Sequence, residues 1–289
     1  MRYIEGCLVC GSPELELSIP GNYTGGADQA HRYFLSNRER TMRGDVHRCR
    51  ACGFKLTSPQ FSPEEYDAIY SRVADQDDAD ADALKVRYQY LAGRLRQQAS
   101  GGRLLDFGCG GGGFLTCAPE FDAFGFEVSS NGDIWDGNIY RGALETARRT
   151  RPEFADQSFD VITAWDVLEH LPEIDRDVAA LHALLKPGGV FVFSVPNVAS
   201  LMAKLQGPTW NSYLLEHIWY FDPATIDRYL AARGFEKRSL RPIGFPASLG
   251  ILGRRVKQTF GLPLPIPAFA RRTILTFPIG LMLGAYSRV

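Results

Sequence analysis

RLLDFGCGGGGFLT, Arg103 to Thr116, is the stretch on which the reading of this chain turns. An apolar run ends in Asp106, and five of the six residues after Phe107 are glycine, interrupted only by Cys109. An ordered glycine inside an element costs roughly 0.5–1 kcal/mol, so a run of them at one turn needs a reason. A turn without Cβ atoms lets the backbone approach a ligand that side chains would repel. Its flanks give it a setting: RLLDF reads as a strand, and GGFLTCAPE as the start of a helix. In an open parallel sheet, ligands bind outside the carboxyl ends of strands, where the strand order reverses. A helix starting there would offer unpaired N–H groups to a negative group. One strand further on, Glu127 closes AFGFEV, where its carboxylate can accept from both hydroxyls of a ribose.

The alternation continues outward. FDVITAW is a strand, IDRDVAALHALLKPGG a helix ended by Gly188, and VFVFSVP a strand. This pattern predicts an α/β fold with a parallel sheet and helices on both faces. Upstream, Leu84, Tyr88, Leu91 and Leu95 recur at helical spacing until Ser100-Gly101-Gly102 stops the helix. SPEEYDAIYSRVA, residues 62–74, reads as a short helix with Ser62 as its cap, Pro63 in first position and Glu64 and Glu65 in the first turn. Between the two lies DQDDADAD, residues 75–82, a solvated acidic linker without the glycine and closing glutamate of a calcium loop.

Four of the six cysteines fall in residues 1–60, in two copies of Cys-x-x-Cys-Gly: Cys7 with Cys10, and Cys49 with Cys52. Two residues between thiols let a tight turn aim both sulfurs at one ion, and the trailing glycine relieves strain and exposes backbone N–H groups to the thiolates. Two such turns supply the closed four-sulfur shell of a structural zinc, not a catalytic one. Disulfides and free thiols are the alternatives. Disulfides suit a cytoplasmic chain poorly, and MRYIEGCLVCG lacks the apolar segment of a secretory signal. Cys109 and Cys117 fall outside the pattern and read as packed side chains.

The 289 residues carry a net charge of −1, which argues against a general electrostatic trap for nucleic acid. The distribution is uneven. After Glu236 no acidic residue follows, while Arg254, Arg255, Lys257, Arg271, Arg272 and Arg288 remain. The apolar stretch TILTFPIGLMLGAYS is too short to span a bilayer and is interrupted by Pro278. A cytoplasmic protein is expected, with the tail packed on the domain, at a dimer contact, or peripheral to an anionic membrane.

With these motifs in place, LLDFGCGGGGFL resembles the first motif of class I S-adenosylmethionine-dependent methyltransferases. FADQSFDVITAWDVLEHL and LLKPGGVFVFSVPN are similar to the segments around their fourth and fifth strands, and LLEHIWYFDPATIDRYLAARGF to the stretch that follows in a branch acting on small molecules and glycans. HRCRACGFKLTSPQFSPEEYDAIY resembles the zinc module that precedes that domain in some members, sugar methyltransferases among them. The matches cover most of Cys7 to about Phe235. The resemblance implies a doubly wound, mostly parallel, Rossmann-like sheet preceded by a zinc-ribbon-like module. The expected division is a zinc-binding module at 1–60, a helical linker at 61–100, the methyltransferase domain at 101–240 and a basic apolar tail at 241–289.

It also implies roles. Asp106 would lie near the methionine ammonium, Gly108 and Gly110 would give close backbone approach, Glu127 would hold the ribose, Leu144 would flank the adenine, and Trp165 would sit by the cofactor. The chain departs from the pattern in three places. Ala143 stands where the family usually has an acid before Leu144, the helix after Glu127 is squeezed into SSNGDIWDGN, and the last strand of the sheet is expected to be missing. Methyl transfer is an in-line displacement in which the protein mainly aligns the partners; a base is needed only if the acceptor loses its proton as it attacks. His217 and Glu216 in EHIWYF are the catalytic candidates, with Trp219, Tyr220 and Phe221 as pocket walls, or else all as core packing beneath a lid. His170 would order the loop after the fourth strand or take a direct part, and Asp166 would cap the helix there or else accept from the cofactor. The expectation is a small-molecule methyltransferase acting on a sugar, glycan or lipid-linked saccharide. A ribosomal RNA methyltransferase with a zinc module and a non-catalytic cofactor-fold binding protein are the alternatives; the weak net charge opposes the first, and intact Asp106, Gly108, Gly110 and Glu127 oppose the second.

Overall fold

The computed structural model describes residues 1–34, 41–72, 81–128, 134–250, 253, 265–267 and 273–289. The elements in chain order are β1 (Leu15–Ile19), α1 (Ala27–Ala30), β2 (Val46–Cys49), β3 (Lys55–Thr57), α2 (Pro63–Tyr70), α3 (Ala81–Leu95), β4 (Gly102–Phe107) and β5 (Phe121–Val128). Then come β6 (Ile134–Asp136), β7 (Ile139–Gly142), α4 (Leu144–Thr150), β8 (Phe159–Trp165), α5 (Ile174–Leu184), β9 (Leu185–Pro196) and α6 (Leu201–Gln206). β10 (Trp219–Tyr220), α7 (Pro223–Ala231), β11 (Phe235–Ser248) and β12 (Ile274–Arg288) complete the set.

One sheet has the order β11-β12-β9-β8-β4-β5-β7-β6. β4 pairs in parallel with both β5 and β8, β5 with β7, and β8 with β9. The chain builds outward from β4 to β7 and then crosses to β8, so the reversal of strand order falls between β4 and β8. Successive side chains of a strand point to opposite faces, and the core divides accordingly. Leu104, Val161, Val190 and Val192 pack with Leu91 and Leu95 of α3 on one face. Leu105, Ile162, Phe191 and Phe193 pack with Val178 and Leu181 of α5 on the other. Burial on both faces explains the near-continuous apolar runs of β8 and β9.

Several expectations change. The strand expected to be missing is present: β12 lies antiparallel between β9 and β11, pairing Leu281 with Pro196 and Phe235 with Arg288. Residues 274–288 therefore belong to the sheet, which an apolar stretch with a proline and two glycines did not advertise. The helix expected after the glycine turn is a single 3-10 turn, Leu115–Cys117, because glycines and Pro119 leave no run able to nucleate one. The segment after Glu127 holds no squeezed helix among its described residues. It forms the β6–β7 hairpin, with Gly137 at φ +59° in the bend. Helix α5 ends at Leu184, ahead of Gly188, because Leu185 is already extended. Residues 75–80 of the acidic linker and most of 251–272 in the basic tail lie outside the described residues.

The amino-terminal segment does not stand alone. Its sheet has the order β1-β2-β3-β10, so its last strand comes from residues 219–220, far along the chain. Cys7, Val9, Phe54, Leu56 and Tyr66 share one core cluster with Phe107, Phe193 and Trp219. Helix α2 carries the cap read from sequence: the Ser62 hydroxyl accepts from Glu65 N–H, and Glu65 reaches back to Ser62 N–H.

Candidate active site

The glycine run divides into two kinds of position. A Cβ on Gly108 would meet Val167 Cγ2 at 2.6 Å, on Gly112 Ile139 Cδ1 at 2.4 Å, and on Gly113 Tyr88 Cε2 at 2.7 Å. These glycines let the turn pack against its neighbours. A Cβ on Gly110 or Gly111 would meet nothing within 4 Å, so there the bare backbone faces open space. Gly110 also sits at φ +53°, a left-handed conformation that disfavours other residues. Glu127 reaches the same point: its Oε2 accepts from Gly110 N–H at 2.5 Å. Arg141 donates to Gly110 O at 2.8 Å and secures the turn from β7.

Asp106 stands at the strand reversal and is 2% exposed. The Thr163 hydroxyl of β8 donates to its Oδ1 at 2.7 Å, so the two strands that flank the reversal are joined through this carboxyl. Burial raises the Asp106 pKa, the Thr163 hydroxyl pulls it back, and nearby Glu127 adds to the rise; the result is about 7. Leu144 opens α4 with Ala143 as its cap residue and is 6% exposed. Trp165 ends β8 edge-on to Phe114, with ring centroids 5.1 Å apart. Its buried indole N–H has no hydrogen-bond partner among the described residues.

Asp166 corrects an expectation. It caps nothing: Val167 is the cap residue of the following 3-10 turn, Leu168–His170, and no side chain bonds there. Asp166 sits at φ +55°, accepts from Ser194 Oγ at 2.5 Å and forms an ion pair with Arg87 of α3.

A second constellation lies beside this one. His170 Nδ1 is 3.1 Å from the Glu216 carbonyl and 3.4 Å from Tyr70 Oη. A carbonyl only accepts, so Nδ1 carries the proton and Nε2 the lone pair. Burial, then the neighbouring His217, pushes the His170 pKa down to about 3, which keeps the ring neutral. The His217 ring stands edge-on to it at 4.6 Å, and its Nδ1 donates to the Ser212 carbonyl at 2.8 Å, giving the same tautomer. Glu169, His170 and His217 place one ligand atom each within 4.8 Å of one another. Burial, then Asp166, holds the Glu169 carboxyl well above the usual range. Burial, then Glu216, Tyr66, Glu127 and Glu169, raises the Tyr70 phenol well above its ordinary value. The expected aromatic walls are elsewhere: Trp219 stacks on Phe54 at 6.3 Å and Phe221 packs on Phe54 at 5.1 Å, both in the core.

The comparisons with known proteins bear on this geometry. A family described as "Methyltransferase domain" matches residues 79–240, more than half of the chain. The chain belongs to the class I S-adenosylmethionine-dependent methyltransferases. It is similar to the ubiquinone biosynthesis O-methyltransferase of Methylococcus capsulatus, at 30% identity over 55% of this chain and 73% of that one. The enzyme of the same name from Alkalilimnicola ehrlichii is 29% identical over 57% of this chain and 72% of its own. A solved S-adenosylmethionine-dependent methyltransferase from Thermotoga maritima superposes with a TM-score of 0.47 at 15% identity, covering 73% of this chain and 95% of that one.

This methyltransferase also carries a four-thiol centre. Cys7 and Cys52 sulfurs are 3.5 Å apart, and Cys10 and Cys49 sulfurs 3.6 Å. Tetrahedral zinc with Zn–S bonds near 2.3 Å needs S···S edges of about 3.8 Å, so the set fits that ion. The two cysteine turns are built alike. Gly11 N–H donates to Cys7 O and Gly53 N–H to Cys49 O, while Cys7 N–H and Cys49 N–H donate to Ser12 O and Phe54 O. Both glycines have positive φ, +72° and +80°. Burial opposes ionisation of Cys49, yet the Cys52 and Ala51 N–H groups and the Cys10 thiol hold its pKa at about 7.

Arg87, Tyr70, Thr163 and Ser194 were not singled out in the sequence. Tyr66 and Tyr70, four apart on α2, share a helix face and were findable as a pair. Arg87 lies between core positions of α3 and carries no such signal.

Proposed function

We propose that this methyltransferase methylates a small hydroxylated acceptor, a sugar or glycan residue, at a position beside Tyr70, His170 and His217. The observation that carries this reading is the shared tautomer of the two histidines. Each ring gives its Nδ1 proton to a backbone carbonyl, so in each the lone pair is on Nε2, and His217, beside the far less basic His170, is the candidate base. Such a nitrogen can take the proton that a hydroxyl loses as it attacks. The relatives are O-methyltransferases by name, which supports oxygen as the acceptor atom. Bound S-adenosylmethionine supplies an electrophilic methyl group on a sulfonium. Glu127 is proposed to hold its ribose, Asp106 its ammonium, the bare backbone at Gly110 to give it room, and Leu144 and Trp165 to flank it, while Gly108 lets the turn pack on Val167. Glu216 positions His170 through its carbonyl.

The test is incubation with methyl-labelled cofactor and a panel of nucleotide sugars, lipid-linked glycans, phenols and RNA, read by mass spectrometry. Label on RNA alone would end the reading. In the same samples Glu127→Ala is expected to weaken cofactor binding by about 1–3 kcal/mol, the size of lost charge-assisted hydrogen bonds. Unchanged affinity by calorimetry would remove Glu127 from the role.

Asp106 adds a pH dependence. Its folded pKa of about 7 lies above the ordinary carboxylate value, so the unliganded carboxyl is largely protonated below pH 7 and charged above it. A cation binds the charged form. Cofactor affinity is therefore expected to rise about tenfold from pH 6 to pH 8, with proton release at the acid end. Calorimetry in buffers of different ionisation enthalpy would show it; no proton release, or the same slope in Asp106→Asn, would contradict it.

The tail supports a membrane-peripheral site of action. β11 and β12 run on past Pro196, beyond the carboxyl end of β9 and on the side where the site lies. The stretch between them carries Arg254, Arg255, Lys257, Arg271 and Arg272 and no acid. Among the described residues no helix is long and apolar enough to cross a membrane. Co-flotation with anionic liposomes at low salt and its loss at high salt are expected; no flotation at either salt would refute the contact.

A further inference from the structure

A cavity of about 240 Å³ lies between the cysteine module and α2. Its floor is Thr57, Gln60, Phe61, Tyr66 and Leu215, all buried, and its mouth includes Thr24 and Asp45. Nothing in the cofactor or acceptor geometry above uses it. The volume is below the roughly 300–1,000 Å³ of sites for drug-sized ligands and suits a single ring with its substituents.

The lining specifies the ring. Gln60 is 1% exposed. Its amide nitrogen donates to the Thr57 carbonyl at 3.0 Å, which fixes the amide orientation, and its Oε1 has no partner among the described residues. A buried amide oxygen left unpaired costs about 1–3 kcal/mol, a cost that a ligand donor would relieve. Asp45 adds a second acceptor; among the described residues its Oδ1 takes the Gly21 N–H, at 2.6 Å. Tyr23 Oη has given its proton to Gly26 O at 2.6 Å and can only accept. Three acceptors ask for a ligand rich in donors. Charge narrows it further. Asp45 in the lining disfavours an anion. Phe61 and Tyr66, edge-to-face at 5.6 Å, offer an apolar surface to one side of a ring.

We propose that this cavity binds a neutral, hydroxyl-bearing ring, a sugar residue of the acceptor other than the one methylated. The proposal rests on the reading of the acceptor as a glycan. It ties recognition to the reacting segment, because Leu215 of the floor is followed by Glu216 and His217, and Thr57 of the floor donates to the His217 carbonyl at 3.2 Å.

The probes are methyl glycosides of glucose, galactose, rhamnose and N-acetylglucosamine, added to the zinc-loaded 289-residue protein and followed by saturation-transfer NMR. At least one is expected to bind, and S-adenosylhomocysteine should not displace it. Gln60→Met keeps the volume and removes the acceptor oxygen; Thr24→Trp fills the mouth from an exposed position that does not threaten folding. Each is expected to weaken the glycoside at least tenfold with cofactor affinity unchanged. No binding by any probe overturns the proposal, as does binding that both variants leave intact or that S-adenosylhomocysteine displaces. Methylation of a glycan with the cavity variants silent would leave the acceptor reading standing and remove the cavity. Glycoside binding that follows the variants, with label found only on phenols, would do the reverse.

Discussion

Removal of zinc from the four-cysteine centre is expected to reduce methyl transfer at least 100-fold while cofactor affinity changes less than tenfold. A structural zinc contributes apparent binding free energy of roughly 10–16 kcal/mol to the fold it closes. Here the folded segment is not an appendage. β3 pairs with β10, Thr57 N–H donates to Ile218 O at 2.9 Å, and Lys55 donates to Tyr213 Oη at 3.1 Å. Loss of the ion therefore releases the segment that carries Glu216 and His217. The glycine turn, Asp106 and Glu127 are carried by β4, β5 and β8, which belong to a different sheet from β1-β2-β3-β10. Chelation, with Cys10→Ser as the genetic counterpart, separates the two: zinc content by mass spectrometry, cofactor affinity by calorimetry, turnover with labelled cofactor. Full turnover in zinc-free protein would show that the module does not hold the acceptor side.

A leucine at position 110 is expected to abolish cofactor binding, a loss of more than 100-fold, about 2.8 kcal/mol or more, in a protein that still folds. The side chain would enter space that no protein atom occupies within 4 Å of its Cβ. Its cost to the fold is the left-handed backbone alone, about 1–2 kcal/mol, against a usual total stability of roughly 5–15 kcal/mol. At Gly112 even alanine should behave in the opposite way. Its φ of +77° adds the same backbone cost, and the methyl group would lie 2.4 Å from Ile139 Cδ1. Overpacking adds about 1–3 kcal/mol. Melting temperature and cofactor affinity, measured on both variants, distinguish the two positions. Tight cofactor binding by Gly110→Leu would mean that the ligand does not occupy that space.

The alternation of Leu104 with Leu105 and of Val190 with Phe191 was legible because strand periodicity is a local property. So was the α2 cap at Ser62, and so were the paired cysteine turns, whose chemistry lies within five residues. Asp106, Gly110 and Glu127 were legible as a set because Asp106 and Gly110 lie at and just past the carboxyl end of β4 and Glu127 at that of β5, and strand ends converge in a parallel sheet. Misreadings fell where neighbours in space outweigh neighbours in sequence. The stretch 274–288 looked like a tail, but an antiparallel slot between β9 and β11 gives its backbone partners at both edges. Asp166 looked like a cap until Ser194 and Arg87 claimed its carboxylate. Trp219 and Phe221 looked like pocket walls, yet Phe54 of the cysteine module covers them.

By itself the sequence determined the α/β class, the four thiols that suit zinc, and the bare turn with its facing carboxylate, since each depends on residue type and short spacing. Only the tertiary structure decided that the eight-stranded sheet is complete, that the cysteine module shares one core with the domain, and that His170, His217 and Tyr70 meet. Those contacts join residues such as His170 and His217, 47 positions apart, Tyr70 and His170, 100 apart, and Phe54 and Phe221, 167 apart. No local pattern encodes such pairs, because they exist only once burial of both sheet faces has brought distant segments together.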